Sequence, residues 1–213
     1  MDARSELAGA FYGIPTGNLS DAMGKKGNMS SAIRPVYPRA KMAGPALTLT
    51  CHPADNLTIH KAIELASEGS VLVVYAGGYA EAGLFGAIMS LAAKVKGIAG
   101  AVIDGGCRDA EEVEEMDFPL FARGLNPGGT VKETLGAIDV PIQCGGVVVN
   151  PGDIVVGDRD GVVVVPAGQA AEVLANARAI VEKEIRVREQ LQQGKTTMEI
   201  YGFGDLLARK QRR

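Results

Sequence analysis

Short β-rich runs bounded by glycine or proline recur along the chain and constrain its fold more than any other feature. They occupy residues 46–51, 70–75, 100–103, 119–122, 146–149, 154–156 and 162–165. Helical patterns lie between them: Thr16 or Asn18 is placed to cap a first helix, residues 55–66 form a second and residues 84–95 a third. The mixture of strands and helices predicts an α/β protein.

The segment 145–166 indicates that the sheet is not purely parallel. Turn-forming residues at 150–153 and 158–161 separate valine-rich runs. This spacing predicts a β-meander with antiparallel pairing, so a plain doubly wound sheet is not expected.

The composition changes after Pro166. Residues 167–193 contain no proline and one early glycine, and their apolar residues recur at helical spacing. That apolar stripe consists of Val173, Leu174, Ala177, Ile180, Val181 and Ile185. We predict one long helix that ends at Gly194, followed by a second helix in the charged tail, which gives a C-terminal helical extension over residues 167–213. The long helix either reaches a neighbouring subunit or covers the protein's own sheet.

Length and composition favour one domain, residues 1–213, because single cores commonly span roughly 100 to 250 residues. The chain is 46% hydrophobic and 22% charged, with a net charge of −3. That balance supplies a buried core and offers no basic field for nucleic acid. The expected partners are therefore small molecules or copies of the same chain.

The cysteines and the apolar runs predict the compartment. Cys51, Cys107 and Cys144 are odd in number and widely spaced, which does not fit a disulfide framework and favours a reducing environment. The first residues carry acidic side chains and no apolar stretch, so no signal peptide is expected. No apolar run approaches the roughly 18 residues of a membrane span. We therefore expect a cytoplasmic protein without a membrane partner.

Residues 103–112 are the strongest candidate for chemistry. An apolar strand is predicted to turn on Gly105 and Gly106 and to enter a helix rich in acids, which places Arg108 and Asp109 at a strand end. Arginine presents a planar charged fork for a carboxylate or an enolate, and aspartate presents a hard oxygen ligand for a divalent cation. The alternative is a surface ion pair in which Asp109 caps the following helix.

Residues 77–89 form a second glycine-rich strand exit, at the start of the third predicted helix. Free amides at Gly86, Ala87, Ile88 and Met89, together with the helix dipole, are suited to a substrate carboxylate. The glycine spacing matches neither a dinucleotide-binding fingerprint nor a P-loop. An ordinary glycine-rich connection is the alternative.

Other reactive residues point to no competing site. Cys107 lies beside Arg108, but His52 and His60 are far away in sequence, which disfavours a thiol nucleophile. His60 follows Asn56 by four residues, so the two share a helix face that either borders a site or is structural. No spacing typical of a zinc site occurs, and residues 158–161 are typical of a hairpin turn.

Several motifs in order resemble the RraA-like family, and within it the 4-hydroxy-4-methyl-2-oxoglutarate and 4-carboxy-4-hydroxy-2-oxoadipate aldolases. They lie at residues 19–24 (LSDAMG), 54–56 (ADN), 104–109 (DGGCRD), 116–119 (MDFP), 149–153 (VNPGD) and 160–162 (DGV). The resemblance spans nearly the whole chain. It implies a swivelling β/β/α domain, trimers or hexamers, and active sites at subunit interfaces.

The resemblance also implies roles for individual residues. Arg108 would bind the 2-oxo acid and stabilise its enolate, Asp109 would bind Mg2+ or Mn2+ directly, and the amides of residues 86–89 would hold the substrate carboxylate. Glu184 occupies the position of a carboxylate that, in the aldolases, approaches the metal waters from a neighbouring subunit's long helix.

One position departs from the best-known aldolases, which carry an aspartate twenty-one residues before the arginine. Ala87 stands there in this chain. A second group in the family has a small residue at that position and an acid three residues after the metal-binding aspartate, which here is Glu112. The resemblance therefore implies that Glu112 reaches the metal through water.

The expected function is a metal-dependent lyase that cleaves 4-hydroxy-2-oxo acids to pyruvate and a second oxo acid, with oxaloacetate decarboxylase activity through the same enolate. No lysine is placed for a Schiff base. The alternative is a regulator that binds a ribonuclease without catalysis, since the name-giving members of the family have that role on the same fold. Glu112 favours the lyase, because a binding protein has no need of an acid one helical turn from Asp109.

Overall fold

The valine-rich runs form the strands of a mixed sheet in the computed structural model, which describes residues 7–211. The strands are β1 (Arg34–Pro35), β2 (Met42–Thr50), β3 (Val71–Tyr75), β4 (Gly83–Phe85), β5 (Gly100–Cys107), β6 (Leu120–Leu125), β7 (Ile142–Cys144), β8 (Val147–Val149), β9 (Ile154–Asp158) and β10 (Gly161–Val165). The helices are α1 (Thr16–Ala22), α2 (Leu57–Leu65), α3 (Ala87–Val95), α4 (Ala110–Glu115), α5 (Ala170–Gln192), α6 (Thr197–Tyr201) and α7 (Gly204–Gln211). The predicted α/β class is confirmed.

Eight strands form the main sheet in the order β1-β6-β5-β3-β2-β9-β10, with β4 paired to β5. The two halves of strand β2 pair with different neighbours. Met42–Pro45 run antiparallel to β9, and Ala46–Thr50 run parallel to β3. The edge strands β1 and β10 approach one another, so the sheet is nearly closed into a barrel. The parallel strands β3 and β5 are buried almost throughout, which explains their continuous apolar sequences.

The predicted meander is wrong in its first connection. Strand β8 pairs with β7 in a separate two-stranded sheet, whereas β9 pairs with β2 and β10. The reason lies in the turn at 150–153, where the buried Asp153 carboxylate accepts hydrogen bonds from the Asn150 amide and from Ala167 N–H. Gly152 N–H and the Asp153 carbonyl oxygen also pair with Ala46 of β2, so the chain leaves the small sheet and enters the main one. The β9–β10 hairpin at 158–161 is confirmed.

Three further boundaries differ from prediction. Neither Thr16 nor Asn18 caps α1: Pro15 is at the N-cap, and Thr16 instead donates to the Asp158 carboxylate through its hydroxyl and its N–H. Helix α3 begins at Ala87, because the preceding residues pair with β5 as strand β4. Strand β5 continues through Gly105 and Gly106, so these glycines make no turn.

Crowding explains the two glycines within β5. A Cβ on Gly105 would lie 3.0 Å from the Tyr79 carbonyl oxygen, and one on Gly106 would lie 2.6 Å from the Ala82 carbonyl oxygen. Glycine therefore lets residues 79–82 cross directly over the strand. This close approach brings β4 into register beside the end of β5.

The long C-terminal helix is confirmed, with a short 3-10 turn before it. Its first turns cover β9 and β10: Ala170, Val173, Leu174 and Ala177 are buried there. Beyond Ala177, no residue of α5 is buried against the described part of the chain. Exposed apolar side chains continue through this region at Ile185, Leu191, Met198, Tyr201, Phe203, Leu206 and Leu207.

The expectation about a signal peptide rests on residues 1–6, and the predicted tail helix ends at residues 212–213; both lie outside the described range. Within residues 7–211, no helix has the length and apolar character needed to cross a membrane.

Candidate active site

Two strand exits converge at one edge of the sheet. Strands β4 and β5 run parallel, with Phe85 opposite Cys107, so the residues that follow them leave the sheet side by side. The N–H of Arg108 donates to the Phe85 carbonyl oxygen at 3.0 Å, which fixes the two exits together. One exit opens helix α3 and the other carries Arg108 and Asp109. The two segments singled out in the sequence are therefore neighbours in the fold.

Asp109 occupies the N-cap position of α4 but makes no capping bond to its own helix. Its backbone is left-handed, with φ of 57° and ψ of 41°, a conformation that aspartate tolerates better than most residues. Its Oδ2 instead accepts a hydrogen bond from Ala87 N–H, 3.0 Å away, at the opening of α3. The carboxylate thus faces the other strand exit.

Arg108 lies beside this carboxylate. Its Nε is 3.5 Å from Asp109 Oδ2, and its side chain is 45% exposed. Gly83 and Gly86 make room for it: an added Cβ would lie 2.8 Å from Arg108 Cδ at Gly83 and 3.0 Å from Arg108 Cγ at Gly86. Glycine at these two positions therefore allows the arginine to lie across the β4 exit.

These residues line a cavity of about 330 Å3, within the size range of small-molecule sites. Five of the predicted site residues line it: Gly86, Ile88, Met89, Arg108 and Asp109. The N–H groups of Ile88 and Met89 lie in the first turn of α3. No helix carbonyl four residues earlier is there to accept a hydrogen bond from them. The Ala87 amide is already bonded to Asp109.

The remaining predicted residues lie elsewhere. Ala87 is buried, and its side chain does not line the cavity. Glu112 is exposed on the first turn of α4 and is not part of the cavity wall. Glu184 is on α5, and its Oε2 is 3.4 Å from Arg188 Nη2. Their roles at a metal stay predictions.

The cavity wall also includes the helix face of Asn56 and His60, which the sequence left open as bordering a site, and three residues that the sequence did not single out. Helix α2 contributes Asn56 and His60, and an irregular segment, residues 126–137, contributes Gly129, Thr130 and Lys132. Burial, and then the positive charge of Lys132, lower the pKa of His60, so its imidazole is neutral at pH 7. Lys132 lines the cavity as well, and the expectation that no lysine is placed for a Schiff base stays a prediction.

Asp55 holds the 126–137 segment in place. It is 2% exposed, and its carboxylate accepts hydrogen bonds from the backbone N–H groups of Leu57, Glu133 and Thr134 at 2.7 to 3.0 Å. Burial alone would raise the pKa of Asp55, but these three bonds outweigh it and lower the pKa. No local pattern predicts such a segment, because its position depends on side chains distant in sequence.

The cysteines take no part in this site. Cys51, Cys107 and Cys144 are all buried free thiols. Burial raises the pKa of the Cys107 thiol, which keeps it protonated and unreactive beside Arg108. The expectation that Cys107 is not a nucleophile agrees with this environment.

No group of three or more histidine, cysteine or acidic side chains able to hold a metal occurs within residues 7–211. A hard cation needs fewer protein ligands, because Mg2+ commonly binds one or two carboxylates and keeps several waters. Both side-chain contacts of Asp109 fall on Oδ2, and Oδ1 makes no hydrogen bond to another described residue. A free carboxylate oxygen at the cavity wall is the donor that such a cation prefers.

Two named proteins are similar to this chain in sequence. A protein of Halalkalibacterium halodurans, provisionally named a 4-hydroxy-4-methyl-2-oxoglutarate aldolase, is 42% identical over 79% of this chain and 80% of its own length. A Thermus thermophilus protein named 4-hydroxy-4-methyl-2-oxoglutarate aldolase is 34% identical over 71% of this chain and 92% of its own.

A solved structure and a family model agree with those relatives. The structure of the RNA-processing inhibitor RraA from Thermus thermophilus superimposes with a TM-score of 0.66 and 34% identity, covering 71% of this chain and 92% of that one. The model of the RraA-like family, described as Aldolase/RraA, matches residues 16–164. This chain belongs to the RraA-like family.

Proposed function

We propose that this protein is a divalent-metal lyase that cleaves 4-hydroxy-2-oxo acids, such as 4-hydroxy-4-methyl-2-oxoglutarate and 4-carboxy-4-hydroxy-2-oxoadipate, to pyruvate and a second oxo acid. The observation that carries the proposal is the placement of Arg108 and Asp109 against the opening of α3 within one cavity. The aldolase names of two relatives support the same reaction.

The cavity suits a small anion. Arg108 and Lys132 are cationic, and among the described lining residues Asp109 is the one acid. The amides of Ile88 and Met89 at the α3 opening are placed to receive the substrate carboxylate, together with the Arg108 guanidinium. The Gly86 and Ala87 amides belong to the same opening, and Ala87 additionally fixes Asp109.

Asp109 would hold the cation, Mg2+ or Mn2+, through a carboxylate oxygen. Glu112 and, from a neighbouring copy's α5, Glu184 would each reach it through water. When bound, the cation polarises the substrate carbonyl as a Lewis acid.

The residues of this chain then account for the reaction. When the bond between C3 and C4 breaks, its electron pair passes into the pyruvate half as an enolate, and the C4 hydroxyl loses its proton to become a carbonyl. The Arg108 guanidinium donates hydrogen bonds to the developing enolate oxygen. A water oriented by Glu112 or Glu184 would accept the hydroxyl proton and return a proton to C3. Loss of CO2 from oxaloacetate gives the same enolate, so we propose that activity too.

We also propose that the working form is a homotrimer or homohexamer in the cytoplasm. The exposed apolar side chains of α5, α6 and α7 have no cover within residues 7–211, and a second copy of the chain would supply it. Three free thiols fit a reducing compartment.

The alternative is a regulator that binds a ribonuclease and has no catalytic activity. It is favoured by the likeness to the RNA-processing inhibitor, which shares this fold. A binding protein has no need of Arg108 beside a free carboxylate in a cavity, which is why we favour the lyase.

The test is pyruvate formation by the purified protein from oxaloacetate and from 4-hydroxy-4-methyl-2-oxoglutarate, with Mg2+ and with excess chelator. We expect pyruvate from both substrates with Mg2+ and essentially none with chelator. The Asp109→Asn variant is the control for contaminating lyases, because it should be inactive under both conditions. Equal pyruvate formation by the variant and the native protein would overturn the proposal.

A further inference from the structure

Asn56 is a buried amide in the wall of the cavity. It is 6% exposed and precedes the first residue of α2 without capping that helix through its side chain. Its Nδ2 donates to the Leu84 carbonyl oxygen at 3.0 Å and lies 3.3 Å from the Met89 sulfur. The amide thus ties α2 to the segment that leads into α3.

These contacts determine the positions of the nitrogen and the oxygen in the Asn56 side-chain amide. A carbonyl oxygen only accepts hydrogen bonds, so the group facing the Leu84 oxygen must be the nitrogen. The Asn56 Oδ1 is then the remaining atom, and it is buried without a hydrogen-bond partner among residues 7–211. Asn56 lines the cavity, and a buried acceptor without a donor indicates that the donor comes with the ligand or with water.

The chemistry of the proposed substrate identifies that donor. At neutral pH the carboxylates and the keto oxygen of a 4-hydroxy-2-oxo acid are acceptors, and none of them can pair with an amide oxygen. The C4 hydroxyl is the one hydrogen-bond donor in such a molecule. Oxaloacetate, in its keto form, has no donor at all.

We infer that Asn56 is a specificity-determining residue whose Oδ1 accepts a hydrogen bond from the substrate hydroxyl, and that it selects hydroxylated 2-oxo acids over those without a hydroxyl. The inference rests on the proposed function, since it concerns the same cavity. An amide oxygen is too weak a base to remove the hydroxyl proton. Asn56 therefore orients the hydroxyl, and the proton leaves to another group.

Comparison of two substrates separates this role from a structural one. We would measure kcat/KM of the native protein and of Asn56→Ala for 4-hydroxy-4-methyl-2-oxoglutarate and for oxaloacetate, with saturating Mg2+. Loss of the hydroxyl contact should lower kcat/KM for the hydroxylated substrate roughly 10-fold more than that for oxaloacetate. Loss of the Leu84 anchor alone would lower both values equally, because both substrates use the α3 opening.

A second variant keeps the test valid if Asn56→Ala folds poorly. Asn56→Asp retains an oxygen in the cavity wall but cannot donate to the Leu84 carbonyl. We expect its absolute activity to fall while the ratio of the two kcat/KM values stays near that of the native protein. A ratio that changes as much in Asn56→Asp as in Asn56→Ala would overturn the inference.

The outcomes distinguish the inference from the proposed function. If the native protein forms pyruvate from neither substrate, the proposed function fails and the inference fails with it. If the native protein is active and the ratio is unchanged in Asn56→Ala, only the inference is wrong, and Asn56 serves as an anchor or binds a water common to both reactions.

Discussion

The Asp109 carboxylate bonds to the first residue of a helix that is not its own: Oδ2 accepts from Ala87 N–H at 3.0 Å, across 22 positions of sequence. This bond gives Asp109 a structural role in addition to its proposed role as a metal ligand. Asp109→Asn keeps a neutral acceptor for Ala87 and loses the charge. We expect it to unfold like the native protein but to lose Mn2+ binding, as followed by calorimetric titration.

Asp109→Ala is the matched comparison. It removes the acceptor too, and loss of such a bond at a helix start costs about 1 kcal/mol. Its free energy of unfolding in urea should fall by that amount. If Asp109→Asn were as destabilised as Asp109→Ala, the structural role and the metal-binding role of Asp109 could not be separated as proposed.

Gly86→Ala should damage the site without adding a polar group. The new Cβ would collide with Asp109 Oδ2 and lie 3.0 Å from Arg108 Cγ, so both side chains would shift. A shift of about 1 Å in a catalytic group can cost roughly 100-fold in rate. We expect a loss of that order in pyruvate formation. Gly17→Ala is the control, because its Cβ would meet no atom within 4 Å and Gly17 lies on α1, outside the cavity. Similar losses in both variants would contradict the explanation.

Arg108→Lys should lose most of its turnover. A lysine ammonium cannot reproduce the planar fork that contacts carboxylate and enolate oxygens together. The measurement is kcat/KM for oxaloacetate, with Arg159→Lys, at an exposed turn position, as the matched control. Near-normal pyruvate formation by Arg108→Lys would show that Arg108 does not take part in the reaction.

Glu112→Ala tests the water-mediated metal contact. Changes beyond the direct ligands of a metal typically reduce affinity or activity by roughly 10- to 100-fold. We expect a reduction of that size in Mg2+ affinity and in turnover. Glu111→Ala, at the neighbouring exposed position of α4, should behave like the native protein. Unchanged affinity in Glu112→Ala would leave Glu112 a solvated helix residue and strengthen the regulator alternative.

Asp55→Asn should destabilise the protein in a pH-dependent way. The folded pKa of Asp55 is lowered, so its contribution to stability is present above the ordinary carboxyl value of 3.8 and is lost as pH falls through the folded pKa. Hydrogen bonds to a buried charged group suggest a loss of roughly 3 kcal/mol in Asp55→Asn at pH 7. Urea unfolding at pH 7 and in acid should show the difference from the native protein shrinking at the lower pH. A difference independent of pH would exclude this ionisation as its source.

The sequence predicted those parts of the fold and site that depend on neighbours along the chain. The valine-rich strands, the long helix and the two strand exits were all predicted, because hydrophobic periodicity and glycine act locally. Strand partners were predicted less well: β8 and β9 are adjacent in sequence, yet they lie in different sheets, because the backbone of residues 152–153 pairs with Ala46 of β2.

The part of the cavity wall formed by the 126–137 segment was not predicted. Thr130 and Lys132 lie in a segment without regular structure, and their positions depend on Asp55, more than seventy residues earlier. Asn56 was noted for its helix face, but its orphaned oxygen becomes evident only when Leu84 is seen opposite its nitrogen. Such relationships require the folded structure.

The attachment of the 126–137 segment has an evolutionary consequence. The strand exits that carry Arg108 and Asp109 belong to the sheet, so changes there disturb the core. The 126–137 segment is held mainly through its backbone N–H groups, by Asp55, Thr58 and Thr50. Side chains of the segment that make no such contact, such as Lys132, are therefore free to change without loss of the attachment. Under the proposed function, substitutions at Thr130 or Lys132 would change the cavity wall while leaving Arg108 and Asp109 in place, which gives this fold a route to new substrate ranges.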